Sequence, residues 1–153
     1  MNNRTVARQR VLDCARSWLG TPYMHQASLK GVGCDCLGLL RGIWREIEGA
    51  EPERVPAYSS SWAETGGRER LLEVAQSYFD PTDMETADLG DVLIFRMRPH
   101  SVAKHCGIVS SPTHFIHAYD GNAVVENALG DFWSSRIVAA FRFPSVSRDV
   151  ATV

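Results

Sequence analysis

The chain has 153 residues, 44% of them hydrophobic. That suits one domain, residues 1–153, with a core of its own and no need of disulfide or metal staples. Sixteen basic residues against eighteen acidic ones give a net charge of −2, which argues against a general electrostatic binder of nucleic acid. The longest apolar runs, Val92–Phe95 and Ile137–Phe141, fall far short of the roughly 18 residues that a membrane-spanning helix needs, so no membrane insertion is expected.

The first helix is predicted from Thr5, as N-cap, to Leu19, with Val11, Cys14, Ala15, Trp18 and Leu19 at helical spacing. Gly20 and Thr21-Pro22 stop it. The second is predicted from Asp35, as N-cap, to about Glu48, with Leu37, Leu40, Ile43, Trp44 and Ile47 as its apolar stripe. Glu51 to Gly67 reads as a long loop carrying two prolines, three consecutive serines and Trp62. A third helix fits Arg68 to Phe79, and Asp80-Pro81 ends it. From there the pattern is of strands: Asp91–Phe95, His105–Val109, Phe115–Tyr119, Ala123–Glu126 and Ile137–Phe143. Helices first and strands after them indicate an α+β fold with a mainly antiparallel sheet.

Chemistry concentrates in Gly33-Cys34-Asp35-Cys36-Leu37-Gly38. With Asp35 as cap, Cys36 lies in the first turn, where unpaired N–H groups and the helix dipole favour an anion. A thiol there is acidified, and the same N–H groups can hold an oxyanion. Gly38 and Gly42 are costly within a helix, which points to close approach by the sheet or the substrate. A thiolate nucleophile needs a histidine, and five are available. Alternation puts His105, Gly107 and Val109 on one strand face, and Phe115, His117 and Tyr119 on another. If Val109 pairs with Thr113, His105 lies opposite His117, with Cβ atoms about 5 Å apart. One histidine would be the base and the other its orienter; the spacing leaves open which is which.

Five segments in order carry a resemblance: Gly20-Thr21-Pro22-Tyr23, Asp35-Cys36-Leu37-Gly38, Gly90–Phe95, His105-Cys106-Gly107-Ile108-Val109 and Phe115-Ile116-His117-Ala118. Over residues 5 to 143 the chain resembles the NlpC family of papain-like peptidoglycan peptidases, whose fold has N-terminal helices packed on a sheet. The resemblance implies Cys36 as nucleophile, His105 as base, His117 as third polar residue, and Tyr23 as a substrate or oxyanion contact. It implies an endopeptidase cutting peptidoglycan stem peptides at the γ-D-glutamyl–diaminopimelate bond, without metal or other cofactor. Trp18 to Gln26, with the segment around Cys36, is similar to the phage-type branch, the tail-gene peptidases of gene transfer agents of alphaproteobacteria. That branch implies tail or baseplate hub proteins as partners. It also implies synthesis in the cytoplasm without a signal peptide, and action in the periplasm of a target cell. The first ten residues, with three arginines and no apolar stretch, agree with the absence of a secretion signal.

Three departures from the family pattern stand out: Leu37 for the usual serine, Cys106 for a common valine, and a longer Glu51–Thr86 segment. A zinc site built from Cys34, Cys36, His105 and Cys106 has poor ligand spacing, because neighbours on a strand face opposite ways. Cys14 and Cys106 read as core residues, Cys106 opposite the catalytic face, and Cys34 as a loop residue. His25 is expected to line the cleft, and His100 and His114 to face solvent. Two other functions fit the same residues: a structural tail-docking module with little activity, and an amidase or acyltransferase of the same superfamily.

Overall fold

The structure, a computed structural model, describes residues 2–52 and 68–151, the last three through their backbone. Residues 53–67, which include most of the expected long loop and its Trp62, lie outside the described residues. Helix α1 (Asn3–Ser17) begins before the expected cap. Asn2 supplies the cap instead: its side-chain oxygen accepts the Thr5 N–H at 2.7 Å, so Thr5 is the donor. A two-stranded hairpin follows, β1 (Ser28–Leu29) and β2 (Gly33–Cys34), too short for any periodicity to announce. Cys34 thus sits in a strand and is fully buried, where a loop position was expected. Helices α2 (Cys36–Ile47) and α3 (Arg70–Tyr78) match their predicted spans closely.

The remaining elements are β3 (Asp80–Thr82), β4 (Val92–Phe95), β5 (His105–Ser111), β6 (His114–Ala118), β7 (Val124–Ala128), α4 (Gly130–Ser134), β8 (Ile137–Arg142) and α5 (Pro144–Ala151). Six strands form one sheet in the order β3-β8-β4-β5-β6-β7, antiparallel throughout. The α+β expectation holds. Asp80-Pro81 does end α3, but the chain continues as an edge strand, where proline's missing N–H faces no partner.

The sheet is covered on both faces, which is why β4 is apolar at every position. Val92 and Ile94, with Cys106, Ile108 and Ile116, face the helical layer of Val11, Leu40 and Ile43. Leu93 and Phe95 face the other way, into a smaller cluster with Val109, Phe115 and Trp133. At the mouth of β4 the Asp91 carboxylate, wholly buried, accepts Arg8 Nη1 at 2.7 Å and the Asp88 N–H at 2.9 Å. Arg8 also donates to the Leu89 carbonyl, so this pair ties α1 to the start of the central strand.

Removing one partner of a buried pair leaves a charge without compensation. Arg8→Ala should lower stability by about 3–5 kcal/mol in urea unfolding, and Arg8→Leu with Asp91→Leu should recover most of it. A loss no larger than that of a surface substitution would show that the pair does not hold α1 in place.

Candidate active site

Cys36 is the first residue of α2. Asp35 caps the helix through Oδ1, which accepts the Gly38 N–H at 2.7 Å, while Oδ2 accepts the Gln26 N–H of the preceding turn at 2.8 Å. This seats the 24–29 turn directly on the helix start. A Cβ at Gly38 would run into the Ala27 carbonyl, and one at Gly42 into the Trp18 ring. The two glycines therefore admit the turn and α1, not the sheet or a substrate. The N–H groups of the first turn have no intrahelical acceptor, so the Cys36 sulfur lies at the positive end of the helix.

The histidines come from the sheet. The expected pairing of Val109 with Thr113 is replaced by Val109 with Phe115, and a bulge between Val109 and Ser111 absorbs the change. A shift of two residues keeps every side chain on its face. It does mean that His105 meets His117 diagonally, not directly across. Gly107 lies opposite His117 and makes this approach possible: a Cβ there would be 3.1 Å from the His117 Cβ and 2.8 Å from Phe115 Cδ2. Over the vacant space His105 Nε2 reaches His117 Nδ1 at 2.8 Å. His117 Nε2 continues to Asn127 Oδ1 at 2.7 Å. The line of three side chains crosses β5, β6 and β7.

The proton positions in this line follow from its last member. Asn127 presents an oxygen, so His117 Nε2 carries a hydrogen and donates it. Burial is the largest influence on His117 and pushes its pKa down to about 4, so near neutral pH its Nδ1 is bare and accepts. His105 must then donate from Nε2, which leaves Nδ1 for Cys36. Trp133 covers both imidazoles, with ring centroids 5.4 Å from His105 and 5.0 Å from His117, and Phe115 lies 4.2 Å from His117.

The Cys36 sulfur sits over the start of β5, beside Lys104. Its hydrogen-bond contact is the Lys104 carbonyl at 3.9 Å, and, against expectation, Cys106 as well as His105 acts on its pKa. Cys106 is a core residue, wholly buried, but its thiol is not remote from the site. Donation by the Cys106 S–H is the largest influence holding the Cys36 pKa down to about 5. Burial opposes it, and the hydrogen bond and charge of His105 add to it. Burial pushes the Cys14 and Cys34 thiols up to about 12, and Cys106 is raised as well. Of the four cysteines, Cys36 alone has its pKa lowered.

Tyr23 lines the cleft with Cys36, His105, Tyr119 and Asp120, around a volume of about 610 Å³. Its backbone is strung between β2 and the 119–122 turn: its own N–H donates to the Asn122 carbonyl, and Pro22 and Met24 bond to Cys34. Burial, then the negative charge of Cys36, raises the Tyr23 pKa and keeps the hydroxyl a donor. His25 lies beside Asp35, its Nδ1 3.8 Å from Oδ2, and is not among the residues lining the cleft. His100 is exposed, and His114 is half-buried against Thr113. Asn127 was missed because the strand was read only to Glu126, although alternation from Val125 puts it on the same face. Trp133 had no signal, since α4 is one short turn and a half.

The family model that describes the NlpC/P60 family matches residues 20–142. The chain belongs to the NlpC/P60 family. A curated relative, the gamma-DL-glutamyl hydrolase of Bacillus subtilis, is 26% identical over 138 residues. The match takes in 90% of this chain but only 30% of the relative's length. Among solved structures, the NlpC/p60 domain of the peptidoglycan hydrolase SagA superposes with a TM-score of 0.64 at 19% identity, covering 89% of this chain and 98% of that domain. RipD of Mycobacterium tuberculosis, described as a non-catalytic NlpC/p60 domain protein, has a TM-score of 0.54 at 12% identity, covering 89% of this chain and 96% of that one. These likenesses agree with the fold described above.

If the Cys106 thiol acidifies Cys36, Cys106→Val should move the pH midpoint of Cys36 alkylation by iodoacetamide upward, while Cys106→Ser should hold it lower than valine does. The Cys36 peptide is followed by mass spectrometry. Superimposable profiles for all three proteins would refute the role of Cys106.

Proposed function

We propose that this NlpC/P60 chain is a cysteine endopeptidase of peptidoglycan stem peptides, acting on the γ-D-glutamyl–diaminopimelate bond. The observation that carries the reading is Cys36, acidified at a helix start and sharing a cleft with His105, which is itself anchored through His117 to Asn127. The names of the relatives point the same way, one a gamma-DL-glutamyl hydrolase and one a peptidoglycan hydrolase.

In this reading the Cys36 thiolate attacks the carbonyl carbon of the γ-glutamyl amide. The oxyanion takes hydrogen bonds from the Cys36 N–H and the Tyr23 hydroxyl. His105 gives its Nδ1 proton to the leaving amine as the C–N bond breaks, leaving a thioester. His105 then removes a proton from water, which attacks the thioester, and the Cys36 thiolate departs to meet the imidazolium again. His117 is a positioning residue: it holds the His105 ring and sets which nitrogen faces the sulfur.

The tail-gene resemblance of Trp18 to Gln26 and the Cys36 segment supports delivery by a phage-like or gene transfer agent tail, with hub proteins as partners. The site of action would then be the periplasm of the target cell. A second reading, a wall-binding or docking module without turnover, is favoured by the existence of RipD, because the fold alone does not guarantee hydrolysis. The Cys36–His105–His117 array weighs against it here.

Reduced protein incubated with L-alanyl-γ-D-glutamyl-diaminopimelate should release L-alanyl-D-glutamate, seen by mass spectrometry. Cys36→Ala should abolish release and remain folded. His105→Ala should cost about 10²–10⁴-fold, and His117→Ala less. Retained turnover in Cys36→Ala would overturn the mechanism, and a greater loss in His117→Ala would exchange the roles of the two histidines. Cleavage at another bond would keep the nucleophile and change the substrate.

A further inference from the structure

The cleft above Cys36 carries cations: Arg98, Lys104 and Arg136 line it, with Asp120 the one acid among the described lining residues. Arg136 is the best placed of the three. It is half-buried, and its guanidinium is fixed from three directions. Nη1 donates to the Phe132 carbonyl at 2.6 Å, Nε to the Met97 carbonyl at 3.3 Å, and the plane lies 3.8 Å above the Phe132 ring. Each of these partners is neutral. Arg8, Arg41 and Arg96 show the contrasting arrangement, each within ion-pair distance of a carboxylate from Asp91, Glu51 and Glu69 respectively. Neither Arg136 nor Arg98 has a carboxylate within ion-pair distance among the described residues. An arginine held by neutral partners, half-buried and, among the described residues, without a counter-ion in the cleft of the nucleophile is prepared for an anion that arrives with the substrate.

We propose that Arg136, with Arg98 in the lining of the same cleft, binds a substrate carboxylate, making the enzyme selective for γ-glutamyl peptides whose carboxyl groups are free rather than amidated. The inference rests on the hydrolase reading above, since that reading supplies the substrate class. A γ-linkage leaves the glutamyl α-carboxylate outside the main chain, close to the carbonyl that Cys36 attacks. The diamino-acid residue on the leaving side offers a second carboxylate of the same chemistry. Amidation of either removes the charge and half of the acceptor capacity while keeping the shape. Because the guanidinium is already ordered, little side-chain entropy is lost on binding, and the contribution to discrimination is correspondingly large.

The experiment measures binding, which does not depend on turnover. Cys36→Ala protein is titrated calorimetrically with three peptides: L-alanyl-γ-D-glutamyl-diaminopimelate, its glutamyl α-carboxamide, and its diaminopimelyl carboxamide. One carboxamide should bind at least about tenfold more weakly than the free acid, the effect of losing one charge-assisted hydrogen bond. Which carboxamide is affected identifies the carboxylate bound. Adding Arg136→Gln should weaken the free acid to the level of that carboxamide and remove the difference. Since Arg136 also braces Phe132 and Met97, Arg98→Gln serves as the second variant and should narrow the difference without removing it. Equal affinity for all three peptides, or a preference for the free acid that survives both arginine substitutions, would overturn the proposal. Wild-type protein is assayed for cleavage in parallel: binding discrimination without cleavage would count against the hydrolase reading and leave the carboxylate site standing.

Discussion

The hydrogen bond between His105 Nε2 and His117 Nδ1 is the constraint on which the rest of the site depends. It decides which imidazole nitrogen is left to face Cys36, and it exists only because Gly107 leaves a gap between the two rings. Asn127 gives the bond its direction by accepting from the far side of His117. Burial keeps His117 neutral, so the line can accept from His105 without itself taking up a second proton near neutral pH. The aromatic cover of Trp133 and Phe115 supports this, because excluding water strengthens each polar contact beneath it.

The nucleophile is placed by a different device. Asp35 bonds at once to the helix start and to the preceding turn, so the position of Cys36 follows from backbone contacts and not from the flexibility of a loop. Gly38 and Gly42 let that turn and α1 approach without obstruction. The Arg8–Asp91 pair then holds α1 against the sheet that carries the histidines. Two independently built parts, a capped helix and a three-strand polar line, thus meet over the start of β5. Their meeting also brings Cys106 into contact with the nucleophile. A thiol in place of an apolar side chain there lowers the pKa of the half-buried Cys36 sulfur, against the effect of burial.

Much of this was legible in the sequence, and the failures have local causes. Asp35 and the apolar stripe from Leu37 to Ile47 announced α2 and the placement of Cys36, because a cap followed by regular periodicity is a local signal. Pairing His105 with His117 survived an incorrect register, because alternation fixes the face and a two-residue shift preserves it. The register itself depends on a bulge at Ser110, which no pattern of hydrophobicity encodes. Cys106 was assigned to the core by the same alternation, correctly, but its nearness to Cys36 depends on where the helix docks along the strand. Asn127 lay one residue past an underestimated strand, and Trp133 belongs to a helix too short to show a period. The β3 strand was hidden by Pro81, which an edge position tolerates.

The central claim is that His117 is neutral, protonated on Nε2, and accepts from His105. Nitrogen-15 NMR of the reduced protein, with the imidazole nitrogens resolved near pH 7, reads this directly. The account predicts His117 with a protonated Nε2 and an unprotonated, hydrogen-bonded Nδ1, and His105 with its Nε2 protonated. A His117 carrying a proton on Nδ1, whether as the other tautomer or as the imidazolium, would contradict it.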